Sequence, residues 1–317
     1  MKDPDRLLTE ITAKLLKDVP EPRRAVVAAS GGIDSTVAAV LSHKALKGRV
    51  ESLFVDTGLL RAGESEKVGD LFDKTGIPHR ILRSKDQFFK SLKGITSPEE
   101  KRKTIGATFI RVFEQEAAKS GADYLIQGTI APDWIESGGA LRDVIKSHHN
   151  VGGLPKDMKL KVVEPLRDLY KDEVRALAKR LGLPSFDRQP FPGPGLAVRI
   201  LGEVTEERVD SVRIANMIVE EAVEKAIKEG RMTSPWQYFA VLLPIKSTGV
   251  KGDIRTYGET VAVRMVDSSD AMTATASKPP AEVLSEISER ITREIGGRVN
   301  RVVYDITDKP PSTIEWE

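Results

Sequence analysis

The sequence predicts an α/β protein, a doubly wound parallel sheet followed by a smaller α+β domain. Three observations carry that expectation. Short apolar runs alternate with helical patterns from Ala25 to Leu181, as in strands joined by crossover helices. The first run, Ala25-Val26-Val27-Ala28-Ala29, enters the helical pattern Val37-Ala38-Ala39-Val40-Leu41 through a tight small-residue turn, Ser30-Gly31-Gly32-Ile33-Asp34-Ser35-Thr36. Pro190-Phe191-Pro192-Gly193-Pro194-Gly195-Leu196 can be neither helix nor strand and separates this alternation from a second one. The expected domains are therefore residues 1–189 and 197–317, with 190–196 as the linker.

Leu7 to Leu16 has helical spacing and is expected to cover one side of the sheet. The helix after the glycine turn should end near Gly48, and Val50 to Val55 reads as the second strand. It runs into Asp56-Thr57-Gly58-Leu59-Leu60-Arg61, beyond a strand's carboxyl end, where open α/β sheets bind ligands. Leu59 and Leu60 there read as either core-capping or purine-facing. A helix through Leu71-Phe72 stops at Gly76, and His79 to Arg83 supplies the third strand. Ser97-Pro98-Glu99-Glu100 has the form of a capping box with proline at the first helical position. The helix it opens should turn Ile105, Phe109, Val112 and Phe113 to the core and leave Lys101, Arg102 and Lys103 exposed. Cations are disfavoured at a helix N-terminus, so that cluster reads either as a receptor for an anion or as a solvated face.

Gly121 closes this helix and Tyr124 to Gly128 forms the next strand. Thr129 to Pro155 lacks periodicity and has the composition of a lid, with Gly138-Gly139 and Gly152-Gly153 as hinges. Leu160 to Val163 is a further strand, and Lys171 to Leu181 a helix stopped by Gly182. Beyond the proline-glycine stretch the order is strand Ala197 to Leu201, helix Thr205 to Lys228, strands Tyr238 to Leu243 and Glu259 to Val266, helix Pro280 to Ile295, and strand Val299 to Ile306. This β-α-β-β-α-β order is compatible with a ferredoxin-like layer. Such a layer leaves a sheet face or edge to cover, which makes self-association expected.

The glycine turn suits an anion. Gly31 and Gly32 permit close approach of backbone to ligand, and Ser30, Ser35 and Thr36 add hydroxyls beside the unpaired N–H groups of the first helical turn. The carboxylate of Asp34 would repel a phosphate unless a divalent cation lay between them, so it reads as a Mg²⁺ ligand. The turn is neither Gly-x-x-x-x-Gly-Lys-Ser/Thr nor Gly-x-Gly-x-x-Gly. On these seven residues alone, a turn that binds nothing stays open.

Forty-nine basic against 47 acidic residues give a net charge of +2, so no global field calls for a nucleic-acid or membrane partner. No apolar stretch is long enough to span a bilayer, and Met1 to Arg6 lacks the apolar core of a signal peptide. A cytoplasmic location is expected. The absence of cysteine excludes disulfides, thiolate metal sites and cysteine nucleophiles.

The turn resembles the signature of the ATP pyrophosphatases. From Ser30 to Glu317 the chain is more specifically similar to the ATP-pyrophosphatase subunit of the GMP synthetase family. The resemblance rests on Phe54 to Arg61, Gln127-Gly128-Thr129, Pro132 to Ser137, Lys146-Ser147-His148-His149-Asn150, Pro190 to Leu196, Gly249 to Asp253, and Lys309-Pro310-Pro311-Ser312-Thr313-Ile314-Glu315-Trp316-Glu317. It implies amination of XMP to GMP through an adenylyl-XMP intermediate, with ATP cleaved to AMP and pyrophosphate. It further implies ATP contacts from Ala29, Ser30, Gly31, Gly32, Ile33, Asp34, Ser35, Thr36, Val55 and Gly128, with Mg²⁺ on Asp34. Asp133, Glu136, Lys146, His148 and His149 match the family's catalytic lid residues, and Arg102, Asp253, Arg255, Lys309 and Glu315 are implied in XMP binding.

Family members with their own glutaminase use a Cys-His-Glu site. With no cysteine, and a chain that starts just before the ATP domain, the resemblance implies a two-subunit enzyme supplied with ammonia by a separate glutamine amidotransferase subunit. It also implies a homodimer through the C-terminal domain. The rivals are an NAD synthetase or tRNA thiolase, which should lack the proline-glycine and closing motifs or need cysteine, and a noncatalytic nucleotide-binding or RNA-binding module, of which an RNA reader should show aromatic residues on the sheet face.

Overall fold

The computed structural model describes residues 3–131, 160–184, 189–269 and 271–317. The chain divides into two compact units, one of residues 1–58, 63–88 and 105–187, the other of 59–62, 89–104 and 188–317.

The first unit is a parallel sheet with helices. Its strands are β1 (Ala25–Ala29), β2 (Val50–Asp56), β3 (His79–Arg83), β4 (Tyr124–Ile126) and β5 (Lys161–Val163), in the order β3-β2-β1-β4-β5. The chain runs outward from β1 to β3, then returns to the other side of β1 as β4. The carboxyl ends of β1 and β4 therefore flank the switch point where such sheets hold ligands. Val26 and Val27 in β1 are fully buried, as a central parallel strand requires. Helix α1 (Pro4–Asp18) is capped by Asp3 and buries Leu7, Ile11 and Leu15, one face at i, i+4 spacing. Helix α2 (Ile33–Leu46) buries residues on nearly every side, because α1, β1, β2 and a later helix all lie against it. Helix α3 (Glu64–Thr75) ends on Gly76 in the left-handed region.

Helix α4 (Lys85–Leu92) was not expected from the sequence. Helix α5 (Pro98–Lys119) begins on the expected proline and buries Ile105, Val112 and Phe113, while Phe109 is half-buried and stacks on Phe113. Helix α6 (Lys171–Arg180) ends before Gly182.

The second unit is built on one long hairpin, β6 (Gln237–Lys251) with β7 (Ile254–Asp267), irregular between Leu243 and Lys246. Strand β8 (Thr275–Ala276) pairs with the end of β7, and β9 (Val299–Asp305) runs parallel to β7. Helices α7 (Glu206–Lys228) and α8 (Ala281–Glu294) lie against this sheet and each other. Thr205 caps α7 as its position suggests.

Two expectations are corrected here. Gly195–Arg199 is a 3₁₀ turn, and the first strand shrinks to one parallel bridge, Ile200 to Leu242. Gly195, two residues before the expected strand, has a φ of +68° and approaches Leu59 closely, so the chain enters this stretch already folded into the turn. The pairing is also not ferredoxin-like. In a split βαβ layer the helix-linked strands enclose another strand, whereas β7 and β9, linked through α8, are direct neighbours. In the expected linker, Leu196 N donates to Leu59 O at 2.7 Å, and Arg61 stacks on Phe191 at 4.5 Å within the second unit. Leu59 itself is fully buried, which settles its core-capping reading.

One buried histidine gives the fold a pH dependence. His43, late in α2, has its pKa lowered to about 4 by burial, against a smaller raising effect from Glu51. Its unfolded value is the ordinary 6.5, so between these values the unfolded chain binds more protons and stability falls as pH drops. The full shift must be discounted for partial exposure, leaving about 2 kcal/mol at most. Urea midpoints at pH 7 and pH 4.5 should differ more for the wild type than for His43→Gln; equal differences would contradict this.

Candidate active site at the β1 and β4 carboxyl ends

The turn after β1 is braced from inside. Ser35 Oγ accepts from Ser30 N at 3.1 Å, lies 3.0 Å from Ser30 Oγ, and donates to Gly32 O at 3.1 Å. Thr36 is fully buried, and its hydroxyl donates to Gly32 O at 2.8 Å. Thr36 thus helps to hold the turn's shape. Ala29, Ile33 and Val55 are buried as well, so what they can offer a ligand is backbone. Ser30 and Gly32 are exposed, and Gly31 is half-buried with φ +78°.

The helix that begins here is left open at its start. Gly32 is the N-cap of α2 and no side chain caps it, so the first-turn N–H groups and the positive end of the dipole are available to an anion. Gly31 fits only as glycine, since a Cβ there would lie 2.6 Å from Val68 Cγ2. Gly128, beyond β4, comes closer still: a Cβ would lie 2.6 Å from Ser35 N and 2.7 Å from the Asp34 carbonyl carbon. The expected residues from Ser30 to Ser35 and Gly128 thus share one place, brought together by the strand order.

Asp34 has a divided carboxylate. Oδ2 accepts from Lys171 Nζ at 2.6 Å, while Oδ1 is buried with no hydrogen-bond partner among the described residues. Thr129 Oγ1, next to Gly128, is likewise buried and unpartnered among them. Orphaned buried polar atoms are rare and call for an explanation, an absent ion or ligand being one. Among the described residues no three His, Asp or Glu side chains gather as a metal site. The donor set still suits Mg²⁺, which commonly takes one or two carboxylates and completes its shell with water and substrate phosphates.

Lys171 and Thr129 were not singled out from the sequence. Lys171 carried a signal, for it is a cation in the first turn of α6, the same misplacement against a helix dipole that marked Lys101 to Lys103. Thr129 carried none.

The nucleotide candidates in the second unit do not form one group. Lys101 is fully buried, pairing with Glu317 and donating to Ile200 O at 2.5 Å, and Arg102 donates to the Glu317 carbonyl. The expectation of an exposed basic helix start is corrected: these two hold the closing segment, and only Lys103 is exposed. Burial lowers the pKa of Lys101 and raises that of Glu317, so each needs the other to stay charged. Glu315 is gripped by Arg199, with Nη2 to Oε1 at 2.7 Å and Nε to Oε2 at 3.0 Å. Lys309 donates to Ala271 O at 2.8 Å.

Asp253 and Arg255 lie elsewhere, exposed at the tip of the β6–β7 hairpin. Gln237, whose Nε2 reaches Glu315 Oε1 at 3.1 Å, stands at the other end of β6, roughly 45 Å of strand away at about 3.3 Å per residue. Within one chain Asp253 and Arg255 therefore cannot join Glu315 around one small ligand. Asp133, Glu136, Lys146, His148 and His149 lie outside the described residues.

A parallel sheet whose switch point carries an uncapped glycine turn, a half-paired aspartate and a facing glycine defines an α/β domain of the ATP-pyrophosphatase type. Residues 24–188 match the family model described as queuosine biosynthesis protein QueC, and residues 221–316 match the GMP synthase C terminal domain. A relative from Thermoplasma acidophilum, named as a subunit of glutamine-hydrolyzing GMP synthase, is 57% identical over 99% of this chain and 98% of its own. A relative of the same name from Pyrococcus horikoshii is 60% identical over 93% of each chain, and one from Methanopyrus kandleri 54% identical over the whole of both. The chain belongs to this family of glutamine-hydrolyzing GMP synthase subunits.

Proposed function

We propose that this chain is the synthetase subunit of a two-subunit GMP synthase, converting XMP, ATP and ammonia to GMP, AMP and pyrophosphate. What carries the reading is the full-length likeness, which takes in the glycine turn and the closing segment together. In the reaction the xanthine C2 oxygen attacks the α-phosphorus, the bond to the β-phosphate oxygen breaks, and pyrophosphate leaves. Ammonia then adds at C2 and AMP departs with the former carbonyl oxygen. Such transfer depends on alignment and charge neutralisation more than on a covalent nucleophile.

The N–H groups of the glycine turn and of the first turn of α2 hold the departing pyrophosphate, and Lys171 adds a positive charge beside them. Asp34 Oδ1 is the oxygen for Mg²⁺, which when bound neutralises the phosphate charge. By the family resemblance Asp133, Glu136, Lys146, His148 and His149 are assigned to catalysis, Lys146 and the histidines stabilising developing phosphate charge. Lys309 answers the XMP monophosphate and Glu315 accepts from its base or ribose, while Arg102 holds the closing segment that carries both.

A separate glutamine amidotransferase subunit supplies ammonia, consistent with the absence of cysteine. Self-association uses the second unit, whose hairpin exposes Val250, Ile254 and Tyr257, each more than two-thirds accessible. Asp253 and Arg255 sit among these residues and fit that contact better than the Glu315 site of their own chain. No described helix is long and apolar enough to cross a membrane, and we place the protein in the cytoplasm with its nucleotide substrates.

Pyrophosphate release from ATP, Mg²⁺ and an ammonium salt should require XMP. Release without XMP, or none with it, would overturn the reading. Lys309→Ala should raise the XMP KM about tenfold, the worth of one charge-assisted hydrogen bond, and leave the ATP KM alone. Unchanged XMP kinetics in a protein that is merely less stable would make Lys309 structural.

A further inference from the structure

Three cations in the second unit are fully buried: Lys101, Arg199 and Arg264. Each comes from a different part of the chain, and each donates to the same closing segment, residues 305–317, Arg264 with every donor and Lys101 and Arg199 with part of theirs. Arg264 lies within the otherwise apolar run of β7, Val261 to Val266. All five of its N–H donors are used. Nε donates to Ile314 O at 2.9 Å; Nη1 to Asp305 Oδ2 at 2.7 Å and Thr307 O at 2.9 Å; Nη2 to Ser312 Oγ at 3.0 Å and Thr313 O at 2.9 Å. The segment is therefore wrapped around one guanidinium. Arg199 takes Glu315 in a two-point fork, gives its third contact to Asn216 Oδ1 at 3.1 Å, and stacks on Phe239 at 4.2 Å. Lys101 takes Glu317.

Burying a charge is costly, and a buried ion pair is often no more stable than well-packed apolar residues of the same volume. Three in a row along so short a segment are therefore a poor device for stability alone. Their geometry does something an apolar contact would not: it sets rotation as well as position. A fork of two parallel N–H donors fixes the plane of the Glu315 carboxylate. With Gln237 Nε2 also on Oε1, three of its four lone-pair positions are filled, and the one left on Oε2 is aimed by the other three. Arg264 sets the path of the chain from Asp305 to Ile314, and hence the place of Lys309 between them.

We infer that Arg199, Arg264 and Lys101 are positioning residues for XMP, a three-point clamp that holds the closing segment so that Lys309 and Glu315 meet the nucleotide in a fixed geometry. The inference rests on the reading that Lys309 and Glu315 contact XMP. It assigns the three cations no contact with substrate.

The test uses the full chain with Arg199→Lys, Arg199→Met, Arg264→Met and Lys101→Met, beside Lys309→Ala and Glu315→Gln. Initial rates with ammonium are measured against XMP and ATP separately, and amide exchange is followed along the chain. Arg199→Met and Arg264→Met should raise the XMP KM at least tenfold with the ATP KM within twofold of wild type. Arg199→Lys, which keeps the charge and loses the fork, should fall between. Exchange in residues 305–317 should quicken at least tenfold while α7 is unchanged.

A folded Arg199→Met or Arg264→Met with wild-type XMP KM overturns the clamp, as does exchange that quickens equally in α7 and the closing segment. Should Arg264→Met fail to fold, Arg199→Lys and Lys101→Met decide by the same readouts. If Lys309→Ala and Glu315→Gln leave the XMP KM unchanged, the substrate reading fails instead, and the exchange of residues 305–317 still shows whether the cations hold them.

Discussion

Asp34→Asn should lower XMP-dependent pyrophosphate release by about 10² to 10³-fold, the usual loss when one preorganised charge-stabilising group is removed. Asparagine keeps the shape and an acceptor oxygen and takes away the charge. The pair that Asp34 makes with Lys171 is partly open to solvent, with the lysine side chain 42% exposed, so its contribution to stability is at most about 1 kcal/mol. Thermal melting should therefore hardly move, and the loss would report on chemistry. The concentration of Mg²⁺ needed for half-maximal rate should rise with it. A narrower role is also testable, in which Asp34 does nothing but hold Lys171. Lys171→Met would then reproduce the whole loss, and the double variant would be no worse than either single one. We expect the double variant to be worse, because Oδ1 makes no contact with Lys171 and has no other partner among the described residues. Normal turnover with an unchanged Mg²⁺ requirement in Asp34→Asn would remove the metal role.

How much of this was legible in the sequence depended on whether a property was local. The strands β1 to β3 and the helices α1, α3 and α6 announce themselves by period, caps and a terminal glycine, all set within a few residues. The glycine turn was legible for the same reason. What the sequence hid was pairing at long range. Thr36 looked like one more hydroxyl for a phosphate, and only the folded turn shows its proton committed to Gly32 O. Lys101 looked solvated because its partner lies 216 residues away. Arg199 and Arg264 did leave a trace, each a charge inside a run of apolar residues, Ala197 to Leu201 and Val261 to Val266. A charged residue in such a run implies a committed partner, although the run cannot say which. The separation of Asp253 and Arg255 from Glu315 was hidden for a different reason: resemblance groups residues by motif, and the length of β6 sets them apart in space within one chain.

Gly128→Ala should reduce turnover about 10²-fold or more while leaving the protein folded. The added methyl has nowhere to go, because its three nearest neighbours, Ser35 N, the Asp34 carbonyl carbon and Ser35 Cα, are all backbone and all within 2.8 Å. No side-chain rotation relieves that contact, so the start of α2 must move away from β4. Overpacking of this kind costs about 1–3 kcal/mol, which a protein of this size survives with a lowered melting temperature. The displaced part is the one that matters most for the reaction: the turn carries the open N–H groups and Asp34 together, and a misplacement of about 1 Å in a reacting constellation is enough for a 10²-fold loss. Because the shift moves donors and carboxylate as one body, kcat should fall more than the ATP KM rises. Gly193→Ala, at a glycine with nothing within 4 Å of its would-be Cβ, is the control and should be close to wild type. Turnover in Gly128→Ala within a few-fold of wild type would mean that the turn tolerates displacement and that its geometry is not what drives pyrophosphate release.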